Sequence, residues 1–301
     1  MEARRLLLVT RYSLPAFLRN GSGISYVVLT FTLGLLLAEL PLSIVESGLA
    51  DLEELLEQIR VMVAMMLAVV SLEQTFSQLG TLSSAPTPEQ APFLEWAQYL
   101  LNERPALLSA VLAIELIAVP LFIATGTFNQ LSGDLQHGAI RYQLLRTSRA
   151  ELYFGRFIGM ALFTWVLIVA LLLAILIYVG VRLDLYPWAD IIAWGGRALI
   201  GFGVLSLPYV AACCAISANV ASPFASLVLC SLAVGGVPVL AIGGMQAWEP
   251  LGNLIYLMPW GYTHHLFHPE ASHGVLAGLG CLLHGALYLA AGYLLFRRKD
   301  L

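Results

Sequence analysis

Few side chains in this sequence could do chemistry, and they fall into three groups. His264, His265, His268 and His273 crowd one short stretch near the C-terminal end. His264 and His268 have the i,i+4 spacing that lets two imidazoles share a metal on a helix. Pro269 follows at once, however, so a wet loop containing histidines is expected and no metal ligand is assigned. Glu115 is a lone carboxyl inside an apolar run, about ten residues or ~15 Å from its outer edge. A carboxylate at membrane depth is costly and marks a functional position by default. It could line a translocation path at a dimer seam or meet a cationic substrate; a packed, helix-bonded glutamate is the alternative. Pro120, close by, could kink the helix and free a carbonyl. His284 lies in another apolar run and reads as a hydrogen-bonded packing residue. The third group is a charged island, Ser132 to Arg156, reading SGDLQHGAIRYQLLRTSRAELYFGR between two apolar runs.

What is missing narrows the chemistry. There is no G-x-x-x-x-G-K-[ST] phosphate loop and no H-E-x-x-H or G-x-S-x-G motif. No catalytic residue is assigned, an enzyme is not expected, and no cofactor is expected in this chain. Nothing points to nucleic acid.

These groups must be held by a membrane fold. The 301 residues are 59% hydrophobic and 11% charged, with mean hydropathy +0.82; soluble domains carry about 25% charge. A bilayer span takes about 20 apolar residues. Runs at roughly 22–45, 105–127, 157–181, 198–217, 224–246 and 275–296 qualify, so the expected fold is all-α with six transmembrane helices. The run 61–72 is too short and reads as a packed outer helix. Eleven of the fifteen basic residues then fall on one side: Arg4, Arg5, Arg11 and Arg19; Arg141, Arg146, Arg149 and Arg156; and Arg297, Arg298 and Lys299. The positive-inside rule makes that side the cytoplasm, with both termini inside. The expected organisation is an interfacial helix over 1–21 and a six-span domain over 22–301. That domain includes an acidic outer segment at 46–104, a cytosolic region at 128–156 and an outer region at 247–274.

Residues 1–20 do not read as a signal peptide, because Arg11 interrupts a short apolar core. They fit an interfacial helix with Leu7, Leu14, Phe17 and Leu18 toward lipid, broken from the first span at Gly21 and Gly23. Trp96, Tyr99, Tyr186, Trp188, Trp194, Trp248 and Trp260 are expected as headgroup-level aromatics. Cys213, Cys214, Cys230 and Cys281 lie in apolar runs and are expected to pack as free thiols.

In the island, Leu135, Ala139, Tyr142 and Leu145 can share one stripe of a short surface helix. Thr147 and Ser148 would end it, and Ala150 to Phe157 would restart a helix. The same residues resemble the signature of ATP-binding-cassette type-2 (ABC-2) membrane permeases: an acid, Gly-Thr, a leucine pair, a Thr-Pro-Val-Ser-Arg-like turn and Gly-Lys. Asp134 matches the acid and Gly138 the glycine, and Leu144 and Leu145 match the leucines. Thr147, Ser148 and Arg149 match the turn, and Gly155 with Arg156 the Gly-Lys. Ala139 replaces the threonine, the turn proline is missing, and Arg156 replaces lysine.

The resemblance implies a half-transporter, a permease subunit rather than an enzyme. Two copies, or this chain and a similar one, would pair in a prokaryotic plasma membrane (the inner membrane of a Gram-negative cell). Two cytosolic ATPase subunits, which bind ATP and Mg, would dock below. Asp134, Gly138, Arg141, Leu144, Leu145, Arg146 and Arg149 would make the coupling contact, and the 247–274 region would hold re-entrant helices. Export is the direction the family implies, and an extracytoplasmic partner for 46–104 is left open. Two other readings stay open: an ion-coupled secondary transporter using Glu115, and a membrane-embedded enzyme using Glu115 and His284.

Overall fold

The computed structural model describes residues 3–19, 21–46, 95, 96, 98–100, 106–183, 186–245 and 247–300. The 61–72 run and most of the acidic 46–104 segment lie outside these. Among the described residues the fold is helical, with no strand. The long helices are α1 (Ala3–Arg19), α2 (Gly21–Glu46) and α3 (Ala106–Thr127), followed by two short ones, α4 (Ser132–Gln136) and α5 (Ala139–Leu144). Then come α6 (Arg149–Leu183), α7 (Trp188–Asn219), α8 (Pro223–Ser231) and α9 (Val237–Met245). Two 3-10 stretches (Glu249–Leu257 and Pro259–Tyr262), the short α10 (Thr263–Leu266) and the final α11 (Ala271–Arg297) complete the order.

Among the described residues, five stretches are long and apolar enough to cross a bilayer: Leu107–Gln136, Arg149–Val181, Trp188–Asn219, Pro223–Ala241 and Ala271–Arg297. The expected first span coincides with α2, whose apolar part, Gly23–Glu39, is shorter. Leucine, isoleucine and valine side chains on α6 and α11, among them Leu173, Ile177, Val181, Leu279 and Leu283, are exposed. A water-soluble protein seldom leaves such a belt uncovered. The described fold is therefore that of a helical, multi-pass membrane protein.

Helix α3 runs through the middle of the core, with α2 and α7 against it. Helix α7 packs most extensively on α11, and Gly292 makes that approach possible: a Cβ there would lie 2.7 Å from the Ala215 Cα. Close backbone contact at small residues is how helices associate where lipid removes the hydrophobic drive. Helix α1 is held in the same way. Gly155 and Gly159 on α6 leave room for Val9 and Ser13, and the Thr10 hydroxyl donates to Leu6 O (3.0 Å) and Gly155 O (3.3 Å). Phe17 is buried edge-on against Tyr26 and Phe163. The expectation that Phe17 faces lipid is thus corrected: the inward face of α1 carries it, while Leu7 and Leu18 stay exposed.

Between α8 and α9 the winding loosens to a π-helical stretch, Leu232–Gly236. Such bulges displace backbone carbonyls from the regular ladder, and the Trp260 indole donates to Val234 O (3.0 Å). Trp260 is therefore a core residue rather than a headgroup anchor. Trp96, Tyr99 and Trp194 are also buried, while Trp188 and Trp248 stand exposed. Ring size and amphipathicity cannot separate these two fates; only packing does. The four cysteines are free and buried.

Candidate functional site

The charged island does not form one helix. Gly138 adopts φ +66° and separates α4 from α5. A left-handed residue resets the helical phase, so Leu135 packs on the same cluster as the buried side of α5 and not beside Tyr142 and Leu145. The buried side of α5 is Ile140, with Leu144 partly buried against the same cluster of Leu131, Leu152, Tyr153 and Phe296. Tyr142 and Leu145 point the other way, 76% and 82% exposed. The expected stripe joining Leu135, Ala139, Tyr142 and Leu145 is therefore corrected. A Cβ at Gly138 would meet nothing within 4 Å, so only backbone strain opposes substitution. Gly138→Ala is expected to lower stability by about 1 kcal/mol, and Gly138→Asn by less, in thermal unfolding of the purified protein.

Four hydrogen bonds fix the island in place. The Arg156 guanidinium donates to Asp134 Oδ2 at 2.6 Å, and the Gln143 amide donates to the same oxygen at 3.1 Å. One carboxylate thereby ties α4, α5 and α6 together. Helix α6 begins with a capping box that the S-x-x-E pattern at Ser148 and Glu151 offers and the expected restart at Ala150 missed. Ser148 N–H donates to Glu151 Oε2 (2.9 Å), and Glu151 N–H to Ser148 Oγ (3.2 Å).

The island shares its end of the bundle with three other elements. Leu131 and Ser132 N–H groups donate to Ser217 Oγ, at 2.9 and 3.1 Å, just before the turn from α7 to α8. Arg149 Nη1 donates to Arg297 O (2.6 Å), Lys299 O (2.7 Å) and, more weakly, Phe296 O (3.4 Å). These carbonyls lie at and just beyond the end of α11, where a cation also complements the helix dipole. Of the residues assigned to coupling, Arg149 thus caps α11, Asp134 and Gly138 shape the island, and Leu144 packs inward. Arg141, Leu145 and Arg146 are exposed. Beside α5 a groove of about 680 Å³ opens toward α1, lined by Arg5, Tyr12, Gln143, Arg146 and Arg156 among others.

Glu115 is 1% exposed, within the helix bundle of a single chain, and neither carboxylate oxygen has a hydrogen-bond partner among the described residues. Pro120 is buried in the same helix. His284 shares a 3.0 Å hydrogen bond with the Tyr288 hydroxyl.

At the end of α11 opposite the island, the histidines gather differently from the i,i+4 pairing. His268 is buried, not in a wet loop. Its ring centroid lies 4.4 Å from that of His273, and His265 stacks on His273 at 5.6 Å with ring planes 9° apart. Burial, then the neighbouring imidazoles, pushes His264 down to about 3. The same causes lower His265 and His268.

No known family model matches the chain, and no curated protein matches it. The class is set by the fold: a multi-pass helical membrane protein whose short island helices, N-terminal helix and α11 terminus meet on one face.

Proposed function

We propose that this chain is the membrane subunit of an ABC-2-type transporter, working as an exporter. In this reading six spans cross a prokaryotic plasma membrane with both termini in the cytoplasm, and two such subunits form the path. Two separate cytosolic ATPases hydrolyse ATP.

The observation that carries the reading is α5. It is an exposed short helix presenting Tyr142 and Leu145 outward, braced through Asp134 onto the first turns of α6. Helix α6 has 35 residues, about 52 Å at 1.5 Å per residue. A push on α5 therefore reaches a rod long enough to cross the bilayer, and an ATP-driven closure below would be transmitted as a rigid-body tilt. The Arg149 clamp would carry the same motion to α11. The eleven basic residues on the island's side and the six apolar runs support the orientation.

The test is a pull-down of the tagged chain from its native membranes, with bound proteins identified by mass spectrometry. Wild type is expected to bring down an ATPase that has a phosphate loop and no spans. The Tyr142→Asp, Leu145→Asp double variant is expected to lose it while remaining in the membrane, because exposed positions change stability by only about 0.5 kcal/mol. Leu144 is left intact because it packs inward. Retention of the ATPase by the variant, or no ATPase with wild type, defeats the reading.

One observation favours a second reading. The buried, unpartnered carboxyl of Glu115 suits a proton relay, and transport by the chain without an ATPase would select an ion-coupled secondary transporter.

A further inference from the structure

We propose that His268, Glu270 and His273 form a zinc site at the end of the bundle opposite the island. Their ligating atoms all lie within 4.8 Å of one another, and His273 Nε2 is 3.5 Å from Glu270 Oε2. Four-coordinate zinc, with bonds near 2.0–2.1 Å, needs its ligands about 3.4 Å apart. The remaining closure falls to Glu270 and His273, whose side chains are 65% and 32% exposed. His268 is the fixed member, with a side chain 1% exposed.

The chemistry of the donors selects the metal. Two imidazoles and one carboxylate suit zinc, whereas calcium and magnesium take oxygen ligands. A water completes four-coordination. Imidazoles ligate only when neutral.

The surroundings of His268 also fit. Its Nε2 has no hydrogen-bond partner yet lies 3.4 Å from Glu95 Oε2, and its Nδ1 accepts the Glu270 N–H at 3.1 Å. Ligation through Nδ1 exchanges that amide for the metal and leaves Nε2–H to Glu95. The result is the carboxylate–histidine–metal arrangement that fixes ring orientation in zinc proteins. Further support comes from Arg197, which donates to Pro269 O (3.2 Å) and to the Tyr99 hydroxyl. Zinc would staple the segment bearing Glu95 to the start of α11.

The full-length protein in detergent, stripped with a chelator, is titrated with zinc chloride against a chromophoric competitor. One zinc per chain is expected. His273→Ala and Glu270→Ala, both at partly exposed positions, are expected to keep the wild-type elution volume and helical signal while losing at least about tenfold in affinity. Cobalt substituted for zinc should give a visible absorption band that the same variants lack. No zinc bound by wild type overturns the site, and so does unchanged affinity in both variants. The titration reads metal binding alone and stands apart from transport.

Discussion

Replacing Gly292 by valine is expected to remove most of the recoverable folded protein. A Cβ at 292 meets the Ala215 Cβ and the Tyr153 hydroxyl, and approaches the Ala215 Cα to 2.7 Å. A side chain can rotate away, but a backbone atom of a neighbouring helix cannot. Overpacking costs about 1–3 kcal/mol where side chains can adjust, so about 3 kcal/mol or more is expected here. The same crossing carries a polar tie. Asn219 Nδ2 donates to Gly292 O (3.1 Å) and to Ala215 O (2.8 Å), so separating α7 from α11 also breaks a bond between them. Gly292→Ala should show a smaller loss, and adding Ala215→Gly should restore part of it. Thermal unfolding and monodisperse yield in detergent measure the series. An unchanged melting temperature for Gly292→Val would mean that these helices do not meet in this way.

The second large effect is expected at Asp134. Its Oδ2 takes both the Arg156 guanidinium and the Gln143 amide. Removing it leaves a guanidinium whose side chain is only 19% exposed without its carboxylate. Fully buried pairs cost about 3–5 kcal/mol to break and exposed ones no more than about 1. With Asp134 28% exposed, about 1–2 kcal/mol is expected for Asp134→Ala. The functional loss should exceed the loss of stability. If α5 receives the push of a partner, loosening its brace on α6 uncouples ATP hydrolysis from transport while the partner still binds. Arg156→Lys should retain most activity, because a single nitrogen makes the contact. The measurement is the ratio of transport to ATP hydrolysed in reconstituted vesicles. A normal ratio in Asp134→Ala would mean that the brace does not transmit force.

Much of this protein was legible in its sequence because a bilayer is an undemanding reader. It asks only for apolar runs of sufficient length, and those runs appear as helices at 106–127, 149–183, 188–219 and 271–297. Helix ends near charge or glycine were legible for the same local reason. The capping box at Ser148 and Glu151 is equally local, and it starts α6 at Arg149, one residue before the expected restart at Ala150.

What required the tertiary structure is everything that depends on which faces meet. Periodicity grouped Tyr142 with Leu135, but one left-handed glycine changed the phase and left Tyr142 outside. Asp134 and Arg156 are 22 positions apart in the chain, and only the turn of the island onto α6 makes them partners. Arg149 was one of eleven cations on one side until the end of α11 brought the Arg297 and Lys299 carbonyls to it. Histidine spacing singled out only the pair His264 and His268 and assigned no metal ligand, whereas the fold brings His268 near Glu270 and His273. Composition and local pattern decide which segments become helices and where they can sit, because hydration and backbone hydrogen bonding act within a segment. Pairing of charges and convergence of ligands depend on distances between segments, which only packing sets.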